Sequence, residues 1–344
     1  MNLNKLVRPA VKAMKSYSSA RDEFESQDKD LVFLDANENP FPNGFNRYPD
    51  PQQMQLKNKL AALKGLRPSQ ILCGNGSDEV LDLIFRAFCE PNEDGIITLT
   101  PTYGMYAVLA NLNGIHQQCV SLTADFQIDV PAVLNAIRPN SKLLFICSPN
   151  NPSGNVMSRT AIKEILKAFK GLVVIDEAYI DFTDTESWLE DLSEHPNLVV
   201  TQTLSKAYGL AGIRLGICYA SEEIIAVLNK IKPPYNINSL TQKAALTAIS
   251  QQENTKQQLK TILDQRTELI KEFKKIAWIE KLHPTDANFI LIRVDNANLR
   301  YEQLKNKGII VRNRTREDGC INCLRITVGT AEENKRLINT LNTL

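Results

Sequence analysis

The sequence predicts an α/β fold in two parts. A large domain has a mostly parallel sheet covered by helices on both faces, and a smaller α/β domain follows it. Three observations carry this expectation. Short apolar runs alternate with segments of helical periodicity through the middle of the chain. Those runs are apolar throughout, as strands buried on both faces are. The pattern changes after about residue 235 into long helical stretches, highly charged in their second half, with a few strands beyond. A chain of 344 residues is long enough for two domains.

The elements follow in order. "MNLNKLVRPAVKAMKSYSSAR" lacks the apolar core of a secretory signal, so residues 1–30 read as an N-terminal arm or short helix that stays attached. The glycine-rich "GNGSD" precedes a helix, "EVLDLIFRAFC" (79–89). "GIITL" (95–99) is a strand closed by Pro101, and "KLLFICS" (142–148) is another, closed by the turn-rich "PNNPSGN". "TAIKEILKAFK" (160–170) sets Ile162, Ile165, Leu166 and Phe169 at helical spacing. "LVVIDEA" (172–178), "NLVVTQTL" (197–204) and "LGICYA" (215–220) are further strands. These segments make a large domain over 31–250, with 31–45 near the small domain. Residues 251–344 make the small domain: a long helix near residue 255, then "NFILIRV" (288–294), a helix near "NLRYEQLKNKG", "IIVRNR", "CLRITVG" and a final helix. In "CLRITVG", Cys323, Arg325 and Thr327 share one strand face, and Leu324, Ile326 and Val328 the other.

Composition narrows the function classes. Forty Lys and Arg against thirty-nine Asp and Glu leave a net charge of +1. That balance implies neither a nucleic-acid nor a membrane partner. No apolar run is long enough to span a bilayer. Seven cysteines scattered through a long chain indicate a reduced, cytoplasmic protein. Cys320 and Cys323 form a single C-x-x-C; with no second pair and three histidines, no metal site is expected.

Ligands of such sheets bind beyond the carboxyl ends of the strands, so the polar residues there are the candidates. "GNGSDE" (74–79) puts backbone N–H groups at a helix entrance, where an anion is favoured; it also fits a plain tight turn with Ser77 as N-cap. It lacks both a complete dinucleotide fingerprint and a P-loop, so a single phosphate remains. Asn151-Pro152-Ser153-Gly154 matches a type I turn, with or without a ligand role for the Asn151 amide. Asp176 leaves an apolar strand, and a carboxylate there needs a cationic partner: a side chain, or a protonated ring nitrogen of a cofactor with Tyr179 close by. Lys206, in an equally apolar stretch, is either a lysine whose head reaches water or an amine made nucleophilic by burial.

The order of "GNGSDE", "PTYGMY", "SPNNPSG", "VIDEAY", "TLSKAYGLAGIRLG" and "LRITVGT" resembles fold-type I pyridoxal-phosphate (PLP) aminotransferases over about residues 31–330. The resemblance implies that Lys206 holds PLP as a Schiff base and moves the substrate proton, and that Asp176 keeps the ring nitrogen protonated. It implies that Asn151 and Tyr179 bond the phenolic oxygen, Tyr103 stacks on the ring, and Gly76, Ser77, Asp78, Ser205 and Arg214, with Thr203, hold the phosphate. "LDANENPFP", "RYPDP", "SYSSAR" and "GIIVR … CLRITVGT" resemble the histidinol-phosphate aminotransferase family. That likeness implies substrate contacts from Tyr17, Asn37, Arg312 and Arg325, with Arg314 or Arg316 as competitors for Arg312. It also implies a homodimer in which Tyr48 reaches the neighbouring subunit's cofactor phosphate. The implied reaction is amino transfer between L-histidinol phosphate and 2-oxoglutarate. A threonine-phosphate decarboxylase, an aromatic amino-acid aminotransferase and a catalytically silent PLP-fold binding module are the alternatives.

Overall fold

The computed structural model describes residues 2–17 and 32–344. The end of "SYSSAR" and the boundary of the arm at residue 30 lie outside the described residues.

Seven strands form the larger sheet: β1 (Ile71–Asn75), β2 (Gly95–Thr100), β3 (His116–Ser121), β4 (Ser141–Cys147), β5 (Leu172–Asp176), β6 (Leu198–Thr203) and β7 (Leu215–Ala220). Their order is β1-β7-β6-β5-β4-β2-β3. β2, β3, β4, β5 and β6 are parallel, and β7 is antiparallel to both β6 and β1. The expected mostly parallel sheet is therefore present, with one reversed strand. The apolar runs have a direct cause. Leu143 and Phe145 of β4 join one core and Leu144 and Ile146 the other, so both faces are buried. Val173 and Ile175 of β5 likewise face away from Leu172 and Val174.

Helices cover these faces. Ser77–Phe88 buries Val80, Leu81, Ile84 and Phe88 on the sheet, and its first turn carries Asp78 and Glu79, suited to the positive end of the helix. Arg159–Ala168 buries Ile162, Ile165 and Leu166, the expected face, and is capped by the Ser158 side chain. Phe169 is also buried, just past the helix end. At the N-terminus, Val7 and Val11 join the same core as Val80 and Leu81, and Arg8 pairs with Glu90 at 3.1 Å. The arm is thus anchored on the large sheet through two buried valines.

A second sheet follows the helix Gln252–Phe273. Its strands are β8 (Ile279–Leu282), β9 (Phe289–Val294), β10 (Arg312–Asn313) and β11 (Cys323–Thr327), all antiparallel, in the order β10-β11-β9-β8. Leu324 and Ile326 pack with Ile290, Ile292, Leu269, Phe273 and Leu337 in a separate core. On the other face of β11, Cys323 is buried under Phe126 and Leu291, whereas Arg325 is half-buried. The second sheet is tied to the first near the "SPNNPSG" turn. The Asp286 N–H donates to the Gly154 carbonyl at 2.7 Å, and the Val156 N–H donates to the Asp286 carboxylate at 2.9 Å.

That turn departs from the type I expectation. The Asn151–Pro152 peptide is cis, and the closing bond runs from the Gly154 N–H to the Asn150 carbonyl at 2.7 Å. A type I turn would instead close within 151–154 around a trans proline.

Candidate active site

Chain direction explains why distant residues meet. The carboxyl ends of β1, β2, β4, β5 and β6 lie on one edge of the sheet, and the reversed β7 starts there. Residues that follow five strands and the residue preceding the sixth therefore converge. Ser77, Asp78, Tyr103, Asn151, Asp176, Tyr179, Thr203, Ser205, Lys206 and Arg214 line one cleft, together with Cys147 and Ala178.

One end of the cleft is built for an anion. Gly76 precedes the helix with φ +78°, so Ser77 is its first residue and not the N-cap of the tight-turn reading. The first N–H groups of that helix have no intrahelical acceptor. Arg214, itself at φ +55°, has its Nη2 3.7 Å from the Asp78 carboxylate. A Cβ on Gly76 would stand 2.6 Å from the same Nη2, so the guanidinium can lie over the turn because residue 76 has no side chain. The Gly76 N–H is held by the Arg214 carbonyl at 2.9 Å. Thr203 and Ser205 hydroxyls lie 2.9 Å apart beside it. Tyr103 donates to Asp78 at 3.0 Å.

The centre holds two ionisable groups, Asp176 and Lys206, with no ion-pair partner among the described residues. Asp176 is 3% exposed and makes no ion pair among the described residues. Burial pushes its pKa up, against hydrogen bonds from the Tyr106 hydroxyl at 2.9 Å and the Ala178 N–H at 3.2 Å. Lys206 is open to the cleft and makes no hydrogen bond or ion pair among the described residues; its Nζ lies 5.7 Å from the centre of the Tyr179 ring. The cleft walls lower its pKa, and the Arg325 charge lowers it further while Asp176 opposes. Burial also raises the pKa of the Tyr179 hydroxyl.

The far wall comes from the second sheet. The Arg325 guanidinium donates to the Asn151 side-chain oxygen and lies 5.2 Å from the Phe289 ring centre. Burial, then Arg314, lowers the Arg325 pKa. Arg312 is directly opposite Arg325 in the β10–β11 register, so their side chains leave the same face. Arg312 is exposed and borders an adjacent groove with Arg314 and Arg316. Arg314 is committed to Glu317 at 2.6 Å.

Besides Arg312, three expected residues lie away from this cleft in the single chain. Tyr48 and Asn37 border a separate groove with Asn238 and Leu240, where Tyr48 stacks on Tyr235 with ring centres 4.3 Å apart. Tyr17 is 73% exposed and does not line the cleft. Sequence reasoning missed Tyr106, Cys147 and Asn236. Tyr106 stands three residues after Tyr103 on the next helix, a spacing that carries no sign of a partner on β5. Cys147 is opposite Asp176 in the β4–β5 register, which requires the strand order. Asn236, in "PPYNINS" (233–239), donates to Glu79 at 2.8 Å and to the Cys73 carbonyl at 2.9 Å, bracing the strand and helix on either side of the glycine turn.

Comparison with known proteins adds to this geometry. Residues 32–341 match the family model described as aminotransferase class I and II. The chain is 59% identical to the histidinol-phosphate aminotransferase of Flavobacterium johnsoniae over 344 residues, covering 100% of this chain and 99% of that protein. It is 52% identical to the enzyme of the same name from Parabacteroides distasonis, covering 99% and 98%. Among solved structures it resembles the histidinol-phosphate aminotransferase from Clostridium acetobutylicum, with a TM-score of 0.81 and 25% identity over 87% of this chain and 92% of that one.

Proposed function

Because the chain belongs to the aminotransferase class I and II family, we propose that it transfers the amino group of L-histidinol phosphate to 2-oxoglutarate, giving imidazole acetol phosphate and glutamate. The observation that carries this reading is the convergence in one cleft of a lysine and a buried carboxylate, neither ion-paired among the described residues, with an arginine-topped helix entrance. An aldehyde, a protonated ring nitrogen and a phosphate on one small molecule answer all three, and PLP has all three.

The residues present fit that cofactor. When bound, PLP supplies an aldehyde that condenses with amines and a ring that takes up the electron pair left at the substrate α-carbon. Ser77 and Asp78 N–H groups, Ser205, Thr203 and Arg214 would hold the phosphate at the Gly76 turn. Asp176 holds the ring nitrogen in its protonated form. Asn151 and Tyr179 would donate to the phenolic oxygen, and Tyr103 would cover the ring face. Lys206 Nζ takes the proton from the substrate α-carbon, and its lowered pKa keeps a share of the amine unprotonated to do so. Arg325 and Arg312 bind the substrate phosphate and, in the second half-reaction, the carboxylates of 2-oxoglutarate. Guanidinium forks suit both anions.

The active unit is a cytoplasmic homodimer on this reading. Phe41, Phe45, Tyr48 and Leu240 are exposed on and beside the Asn37 groove, apolar surface that a second copy would cover. Tyr48 then reaches the neighbouring cofactor phosphate, and Tyr17 and Asn37 complete the substrate site. Residues 31–250 form the PLP-binding domain and 251–344 the small one. No helix among the described residues is long and apolar enough to cross a membrane.

The deciding assay follows glutamate formation with histidinol phosphate, tyrosine, phenylalanine and threonine phosphate as donors. The highest kcat/KM is expected for histidinol phosphate. Carbon dioxide release without 2-oxoglutarate consumption would overturn the transaminase reading. Lys206→Ala is expected to abolish the visible absorbance of the lysine-bound cofactor, and an unaltered spectrum would remove Lys206 from its role.

A further inference from the structure

Tyr106 is fully buried, and its hydroxyl donates to Asp176 Oδ2 at 2.9 Å. Its ring is held on two sides. It stacks on Phe145 of β4 with centres 4.9 Å apart and 21° between planes, and it meets Tyr103 edge-on at 5.7 Å. Phe145 stacks in turn on Phe85 at 5.2 Å. The hydroxyl therefore has little freedom to turn away from the carboxylate. The other oxygen, Oδ1, accepts the Ala178 N–H at 3.2 Å. Both oxygens are thus fixed by neutral donors, which orients the carboxylate plane without neutralising its charge. The charged and titratable groups around Asp176 are Asp78, Lys206, Tyr103, Tyr179 and Cys147. Among them only Lys206 is a cation, and it makes no bond to the carboxylate.

We propose that Tyr106 is a positioning residue that acts through Asp176, keeping the proton of the Asp176–cofactor pair on the ring nitrogen and off the carboxylate. The proposal rests on the reading that Asp176 faces that nitrogen. The ring nitrogen and the carboxylate compete for one proton. A carboxylate buried in an apolar wall has its proton affinity raised, which would draw the proton from the ring. A hydroxyl donating to the carboxylate stabilises its charged form and lowers that affinity. A pyridine nitrogen that loses its proton is a poorer electron acceptor, so turnover falls although every group that touches the cofactor is still present.

The test is Tyr106→Phe, which keeps the stacked ring and removes one oxygen. The holoenzyme is reconstituted with PLP labelled with 15N at the ring nitrogen, and its resonance is compared with wild type, where a protonated nitrogen is expected. In the variant the resonance should move toward the unprotonated value, with kcat falling roughly 10- to 150-fold, the size of one hydrogen bond to a charged group. The melting temperature reports on folding separately. An unmoved resonance in a folded, PLP-loaded variant overturns the proposal. Site-specific 3-fluorotyrosine at 106, a stronger donor, gives a second arm: the resonance should stay protonated or move the opposite way, and a shift toward the unprotonated value counts against the idea. If wild type fails to bind PLP, or shows an unprotonated nitrogen, the assignment of Asp176 itself falls, which distinguishes the two failures.

Discussion

Gly216→Ala should damage the anion end of the cleft from a position that does not line it. Gly216 is the second residue of β7, opposite Gly74 of β1 and Thr203 of β6. A Cβ there would stand 2.2 Å from the Ser77 nitrogen and 2.4 Å and 2.6 Å from the carbonyl carbon and oxygen of Gly76. All three are backbone atoms, so no side-chain rotation relieves the contact. The glycine turn must move, and with it the N–H groups of Ser77 and Asp78 and the bond from Gly76 to the Arg214 carbonyl. Overpacking of this kind costs about 1–3 kcal/mol. For a chain of this size that is a fall in melting temperature of roughly 1–2 °C per kcal/mol. Losing one charge-assisted hydrogen bond to phosphate costs about 1.5–3 kcal/mol, or roughly 10- to 150-fold in PLP affinity. The assay is equilibrium dialysis of the apoenzyme with PLP beside a thermal melt. Gly212→Ala is the control, because no atom lies within 4 Å of a Cβ there, and it should leave both readings near wild type. PLP affinity in Gly216→Ala within twofold of the control would refute the claim that the closeness of β7 to the turn shapes the phosphate cup.

Two further outcomes follow from the charges in the cleft. Asp176→Ala should retain measurable PLP, since the phosphate end is intact, yet lose at least about a hundredfold in kcat; normal turnover would exclude the electron-sink role. Arg325→Gln removes the second-largest influence lowering the Lys206 pKa, so the midpoint for labelling Lys206 in the apoenzyme by an amine reagent should rise. Between the lowered folded pKa and the ordinary 10.5, the unfolded chain holds more protons, so apoenzyme stability rises with pH in that window. The variant should show a shallower rise, and an unchanged midpoint and slope would mean that Arg325 does not act on Lys206.

Much was legible in the chain itself. Apolar runs buried on both faces announced the parallel sheet, and helical spacing announced Arg159–Ala168 with its buried Ile162, Ile165 and Leu166. Lys206, Asp176, Arg214 and Asn151 could be singled out because each is polar where apolar sequence meets a strand end. Alternation along β11 also identified Leu324 and Ile326 as core. These signals are local: they depend on periodicity and on the cost of burying charge, which a sequence displays directly.

Contacts between elements far apart in sequence needed the folded chain. That Arg214 precedes its strand yet lines the same cleft as Lys206 follows from the reversal of β7, which depends on strand pairing. Tyr106 meets Asp176 across 70 residues, and Arg325 meets Asn151 across 174. The need for glycine at 216 is likewise invisible until β7 is laid against the turn at Gly76. Local chemistry marked which residues were out of place in apolar surroundings, whereas strand order, direction and register decided which of them share one cleft.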